Sequence, residues 1–200
     1  LGSPMHRLIA PLLVIVSLFT FSACSVFGGM GAKVAPYELV EVDGAFEMRR
    51  YERLVLVSTD MPGGMDSSRA PFYKLFDYIS GNNTKTEKIA MTAPVFMGQA
   101  ESKTQTMSFA LPTDISLATA PSPSDPAVKV TELRDYKVAV ISFSGFLNQE
   151  SISIHRSLLQ KWITDKGLVV TGEVKAAGYN PPFTLPFLRR NEVLVPVKKP

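Results

Sequence analysis

The order of its periodic segments constrains this chain more than any composition figure: strands, a helix and strands are read once, and then again. Residues 37–42 and 46–61 alternate as strands, with Phe46, Met48 and Arg50 on one face and Glu47, Arg49 and Tyr51 on the other. Leu54-Val55-Leu56-Val57 continues as a buried stretch, and Met61-Pro62-Gly63-Gly64 breaks it. Ser67 or Ser68 then caps a helix whose Phe72, Leu75, Phe76 and Ile79 form one apolar stripe, ended by Gly81-Asn82. Strands follow at 89–98 and 104–111, and residues 112–127, with four prolines, make a long connection between the halves. The order then recurs. Val128 to Phe146 reads as paired strands with a turn near Asp135. A helix from Glu150 to Lys166 places Ile154, Leu158 and Trp162 at four-residue spacing, and strands near 168–177 and 191–197 close the chain. Two ββαββ units predict an α+β domain with internal pseudo-symmetry.

The front of the chain reads as a processing signal. Leu1-Gly2-Ser3-Pro4 looks like an expression scar before Met5, and residues 5–23 like a signal peptide. His6-Arg7 precedes an apolar run from Leu8 to Phe21, short for a bilayer span but suited to a signal core. Phe21-Ser22-Ala23-Cys24 resembles a bacterial lipobox, with Phe where Leu is usual. Cys24, the only cysteine, is then the lipidation site, and residues 24–36 a lipidated, Gly-rich tether. Ser25, in place of Asp, agrees with retention at the periplasmic face of the outer membrane. The alternatives are an ordinary signal peptide with an incidental cysteine, or an uncleaved anchor. With Cys24 acylated no disulfide can form, so the domain must rely on its core.

Residues 24–200 suffice for one domain with a substantial core. Loss of Arg7 leaves 20 basic residues against 18 acidic, a net charge of +2. Arg189-Arg190 and Lys198-Lys199 are too small a cluster for a nucleic-acid surface. No Gly-x-Ser-x-Gly elbow or phosphate loop is present, and one histidine without a free thiol does not make a zinc site.

Three separated segments carry a family resemblance. They are Tyr37-Glu38-Leu39-Val40 leading to Phe46-Glu47-Met48-Arg49-Arg50-Tyr51; Gly81-Asn82-Asn83 followed by Lys88-Ile89-Ala90-Met91-Thr92-Ala93-Pro94-Val95; and Gly178-Tyr179-Asn180-Pro181-Pro182 running into Arg190-Asn191-Glu192-Val193. In that order they resemble the SOUL family of haem-binding proteins, over Tyr37 to Val197. The resemblance implies a distorted antiparallel β-barrel flanked by two helices, a monomer, and a cleft for non-covalent haem along the first helix, beside the loop before the last strand.

Haem asks for apolar walls, a cation near its propionates and, optionally, an axial ligand. The implied cleft offers Arg69, Phe72, Phe76, Met61 and Met65 from the helix side, and Phe183, Leu185, Pro186 and Phe187 from the loop. Arg69 is the candidate propionate partner. Phe72 and Phe76 fit helix core as well as a cofactor wall, and the loop patch fits either packing or ligand contact. His155, the only histidine after the signal segment, is a candidate axial ligand, as are Met91, Met97, Met107, Tyr73 and Tyr179. Without Cys-x-x-Cys-His, covalent attachment is excluded. Arg190 and Glu192 read as a local ion pair at the entry of the last strand. The expected function is a tetrapyrrole carrier, buffer or sensor at the envelope. One alternative is an enzyme acting on a small hydrophobic molecule, marked by a buried acid such as Glu38, Glu47 or Glu132. The other is a structural lipoprotein binding an envelope partner through a flat apolar surface.

Overall fold

The computed structural model describes residues 32–99 and 104–200; the signal segment, Cys24 and the start of the tether lie outside them. Among these described residues ten strands and two α-helices follow one another. They are β1 (Lys33–Val34), β2 (Glu38–Asp43), β3 (Phe46–Asp60), α1 (Arg69–Ile79), β4 (Thr92–Ala93), β5 (Val95–Gln99), β6 (Gln105–Ala110), β7 (Val128–Phe143), α2 (Gln149–Asp165), β8 (Val169–Val170), β9 (Lys175–Gly178) and β10 (Asn191–Lys198). Six of the strands close into an antiparallel barrel in the cyclic order β3-β6-β5-β9-β10-β7, β3 pairing β7 along nearly its whole length.

The ring displays the duplication. β3, β6 and β5 from the first half match β7, β10 and β9 from the second, and the halves meet at the β3–β7 and β5–β9 seams. α1 and α2 cover two parts of the outer surface. Leu75, Tyr78 and Ile79 of α1 pack with Val55, Val57 and Phe109. Leu159, Trp162 and Ile163 of α2 pack with Met48, Ile141 and Val195. A third cluster fills the barrel itself, with Tyr51, Leu54, Leu56, Phe96, Val140 and Leu194 pointing inward.

Three local expectations are corrected. Val128–Phe143 is one continuous strand, not a hairpin; Asp135 adopts φ +46° and kinks β7 without reversing it. Asp tolerates that left-handed conformation better than most residues, and its carboxylate accepts from Arg50 across the β3–β7 pair. Ser68 precedes α1 but makes no side-chain cap, whereas Asn148 caps α2 by accepting from the Ser151 N–H at 2.8 Å. Ile154 and Leu158 are 53% and 48% exposed; of the expected stripe only Trp162 is buried, and the packed face of α2 runs through it with His155, Leu159 and Ile163.

Candidate functional site

A six-stranded barrel is narrower than the eight-stranded one whose interior side chains just fill, so a ligand must bind outside it. Part of that filled interior is ionic. Arg49 on β3 and Glu192 on β10 are both fully buried and form a two-point pair, with Nη1 2.8 Å from Oε2 and Nη2 2.9 Å from Oε1. Arg190 donates to Oε1 from Nε and Nη2, the Tyr179 hydroxyl donates to Oε2 at 2.8 Å, and Ser142 reaches Oε1 at 3.3 Å. Glu47 takes the remaining Nε–H of Arg49 at 2.6 Å. Two guanidiniums and two carboxylates thus cancel. Burial alone would push the Glu192 carboxyl up, but Arg49, Arg190 and Tyr179 outweigh it and hold it below its usual 4.5. Burial and the Glu192 charge push the Tyr179 phenol well above 10, so it stays protonated.

The pair read as local is therefore the visible edge of a buried network. Glu192 is the fully buried acid; the Glu38 side chain is 64% exposed and Glu47 25%, whereas Glu132 is only 10% exposed, one oxygen paired with Arg134 and the other buried without a hydrogen-bond partner. The missed signal lies in alternation: Arg49 shares its face with Tyr51, and Glu192 shares its face with Leu194, both inward-facing.

Outside the barrel, an apolar groove of about 500 Å³ runs between α1 and the segment after β9. Phe72, Met91, Ala93 and Val95 form one wall, and Pro181, Pro182 and Phe183 the other. Tyr179 lies at its edge, tying the groove to the ion network. The second-half counterpart, bounded by Ile152 and Arg156 of α2, Val174, and Met97 and Gly98 of β5, is a space of about 120 Å³ that shares Met65, Met97, Gln105 and Gln149 with an adjoining one of about 560 Å³. Met61 and Met65 line this second space, not the groove beside Phe72.

The structure brings Phe72 and Phe183 together across the groove. Phe76 stacks on Phe72 at 6.2 Å between centroids and is 42% exposed. Arg69 stands one turn before Phe72, its guanidinium 5.9 Å from the Tyr73 ring. Leu185 and Phe187 project outward, 55% and 70% exposed. His155 lies elsewhere, stacked on Phe143 at 3.8 Å with Nδ1 bonded to the Ser151 carbonyl at 2.7 Å. Met91, one of the candidate ligands, lines the groove; Ala93 and Val95 beside it are groove residues that sequence reading passed over, because Met-Thr-Ala-Pro-Val reads as strand and nothing local shows which face α1 leaves uncovered. Among the described residues no group of three His, Cys, Asp or Glu side chains could hold a metal ion.

This arrangement defines a duplicated α+β barrel with a packed, ion-paired interior and an external apolar groove. The chain belongs to the SOUL heme-binding protein family, whose profile matches residues 32–196. It is 34% identical over 172 residues to heme-binding protein 2 of Homo sapiens, covering 80% of this chain and 81% of the human protein. It is 26% identical over 162 residues to heme-binding protein 1 of Xenopus laevis, covering 76% and 84%. Among solved structures, the EcmrR C-terminal domain superposes with a TM-score of 0.60 at 11% identity, over 82% of this chain and 99% of that one. A hydrolase from Listeria innocua gives 0.54 at 10% identity, over 84% and 94%. These two share the fold.

Proposed function

We propose that the chain binds haem or a related tetrapyrrole, non-covalently, in the groove between α1 and residues 180–183. In this reading it works as a carrier or buffer held at the bacterial cell envelope through an acylated Cys24. The observation that carries the reading is the meeting of Phe72 and Phe183 on opposite walls of an apolar space of about 500 Å³, within the range of small-molecule sites. The family and both relatives are named for haem binding, which supports the ligand class.

The residues present fit such a ligand by shape more than by coordination. Haem brings a flat conjugated ring, an iron centre and two carboxylates. Phe72, Phe183 and the prolines would cover the ring, and Arg69, on the same side of α1 as Phe72, would meet a carboxylate at the rim. Met91 is the thioether on the groove wall, while Tyr179, held protonated and bonded to Glu192, offers no phenolate. An open apolar groove without strong ligation suits loading and release.

Haemin titration of residues 25–200, read at the Soret band, tests the reading. Phe183 is 73% exposed, so Phe183→Ser leaves the core intact. It should weaken saturable one-to-one binding roughly tenfold, the effect of losing about 1.5 kcal/mol of aromatic contact. Phe146→Ser, outside the groove, should leave binding unchanged. Equal affinities for wild type and Phe183→Ser would remove the groove as the site.

A further inference from the structure

We propose that the tip formed by residues 183–188 is a bilayer-contacting surface, seated at the headgroup–acyl boundary of the membrane that carries the chain. This rests on the membrane attachment proposed above and is independent of the tetrapyrrole. Phe183, Leu185, Phe187 and Leu188 are 73%, 55%, 70% and 62% exposed, and Phe146 beside them is 61% exposed. Contiguous apolar surface of this kind marks a contact, since water gains nothing from it.

The tip is built, not unravelled. Thr184 N–H donates to the Pro181 carbonyl at 3.0 Å, Leu188 N–H to Leu185 at 2.9 Å, and Gly145 N–H to Pro186 at 2.8 Å. The Arg189 guanidinium clamps the carbonyls of Thr184 and Pro182 at 2.7 and 2.5 Å. A fixed backbone therefore turns the apolar side chains outward. Asn180 to Arg190 contains no acidic residue, so nothing in the segment repels an anionic headgroup. Phe and Leu on such a support are the side chains that enter the interfacial layer.

The path of the chain selects the occupant. Ala32 lines the same groove as Phe183, so the polypeptide enters the barrel on the face that carries the tip. Ala32 lies eight positions after Cys24, a reach of at most about 29 Å when fully extended. An anchor at Cys24 therefore keeps this face, and not the opposite one, near the lipid.

The test places tryptophan at the tip of the full chain reconstituted on vesicles of phosphatidylcholine with a minority of phosphatidylglycerol, some of it brominated in the acyl chains. Phe187→Trp reports the tip, and Leu117→Trp, in the proline-rich connection and 47% exposed, is the control. Wild-type Trp162, 7% exposed, supplies the background to subtract. The expected result is flotation of both variants with the vesicles and at least roughly twofold stronger quenching at position 187 than at 117. Flotation with equal quenching overturns the surface and leaves the anchor standing. Emission at 187 that is already blue-shifted without vesicles, and unquenched with them, means a protein segment covers the tip and also overturns the proposal. Failure to float overturns both the surface and the attachment.

Discussion

Arg49 and Glu192 lie 143 residues apart in sequence, so their two-point pair forms only once the ring has closed. Glu192 accepts six hydrogen bonds there, and removing its charge leaves two guanidiniums, Arg49 and Arg190, against the one carboxylate of Glu47. Glu192→Gln should therefore cost about 3–5 kcal/mol in urea unfolding at neutral pH. The pH dependence has a definite sign. The folded carboxyl titrates below its unfolded value of 4.5, so its contribution is complete above that pH and is lost as pH falls from 4.5 toward the depressed folded value. Wild type should lose stability across that fall more steeply than Glu192→Gln, measured as the urea midpoint at successive pH values; parallel curves would place the acid sensitivity elsewhere. Nothing local in the sequence announces this network. Arg-x-Glu suits a solvated strand edge equally well, and the partner that makes it interior comes from the other half of the chain.

The helices were legible as helices, but their buried faces were less so. On α2 a four-residue spacing selects Ile154, Leu158 and Trp162, of which only Trp162 packs, while in the first turns the packed face lies one residue along and brings His155 onto Phe143. A stripe of period near four fits either choice, and only the curvature of the barrel beneath decides. Caps follow the same lesson. Ser68, the expected N-cap, makes no side-chain bond, whereas Asn148, which the sequence reading did not single out, completes a capping box, with Ser151 answering its backbone N–H at 3.1 Å. Asn148→Ala should lower stability by about 1 kcal/mol, whereas Ser68→Ala should change it by less than about 0.5 kcal/mol. Thermal melts of the pair check this, and equal losses would show that the first helix is capped as well.

Across the molecule, the duplication was the most legible feature, because strand and helix periods repeat in order. The closure was not, since it depends on β3–β7 and β5–β9 pairings between the halves. Neither half has a closed sheet by itself. Residues 32–111 alone should show no cooperative melt, and mixing them with residues 112–200 should restore one, as followed by circular dichroism. Independent folding of the first half would contradict a barrel held by its seams.

The two halves have also diverged at matched places. Ser58 bonds Ser108 across β3–β6 at 2.7 Å, and at the corresponding β7–β10 position Ser142 faces Glu192. The same divergence reaches the outer surface, where the groove beside α1 is mainly apolar and the spaces beside α2 are lined by glutamine, asparagine and arginine side chains as well. In this molecule the repeat is one of backbone and not of lining: phenylalanine and proline side chains face the space beside α1, while methionine, arginine and glutamine side chains face the space beside α2, so the two are not interchangeable for a ligand of one kind.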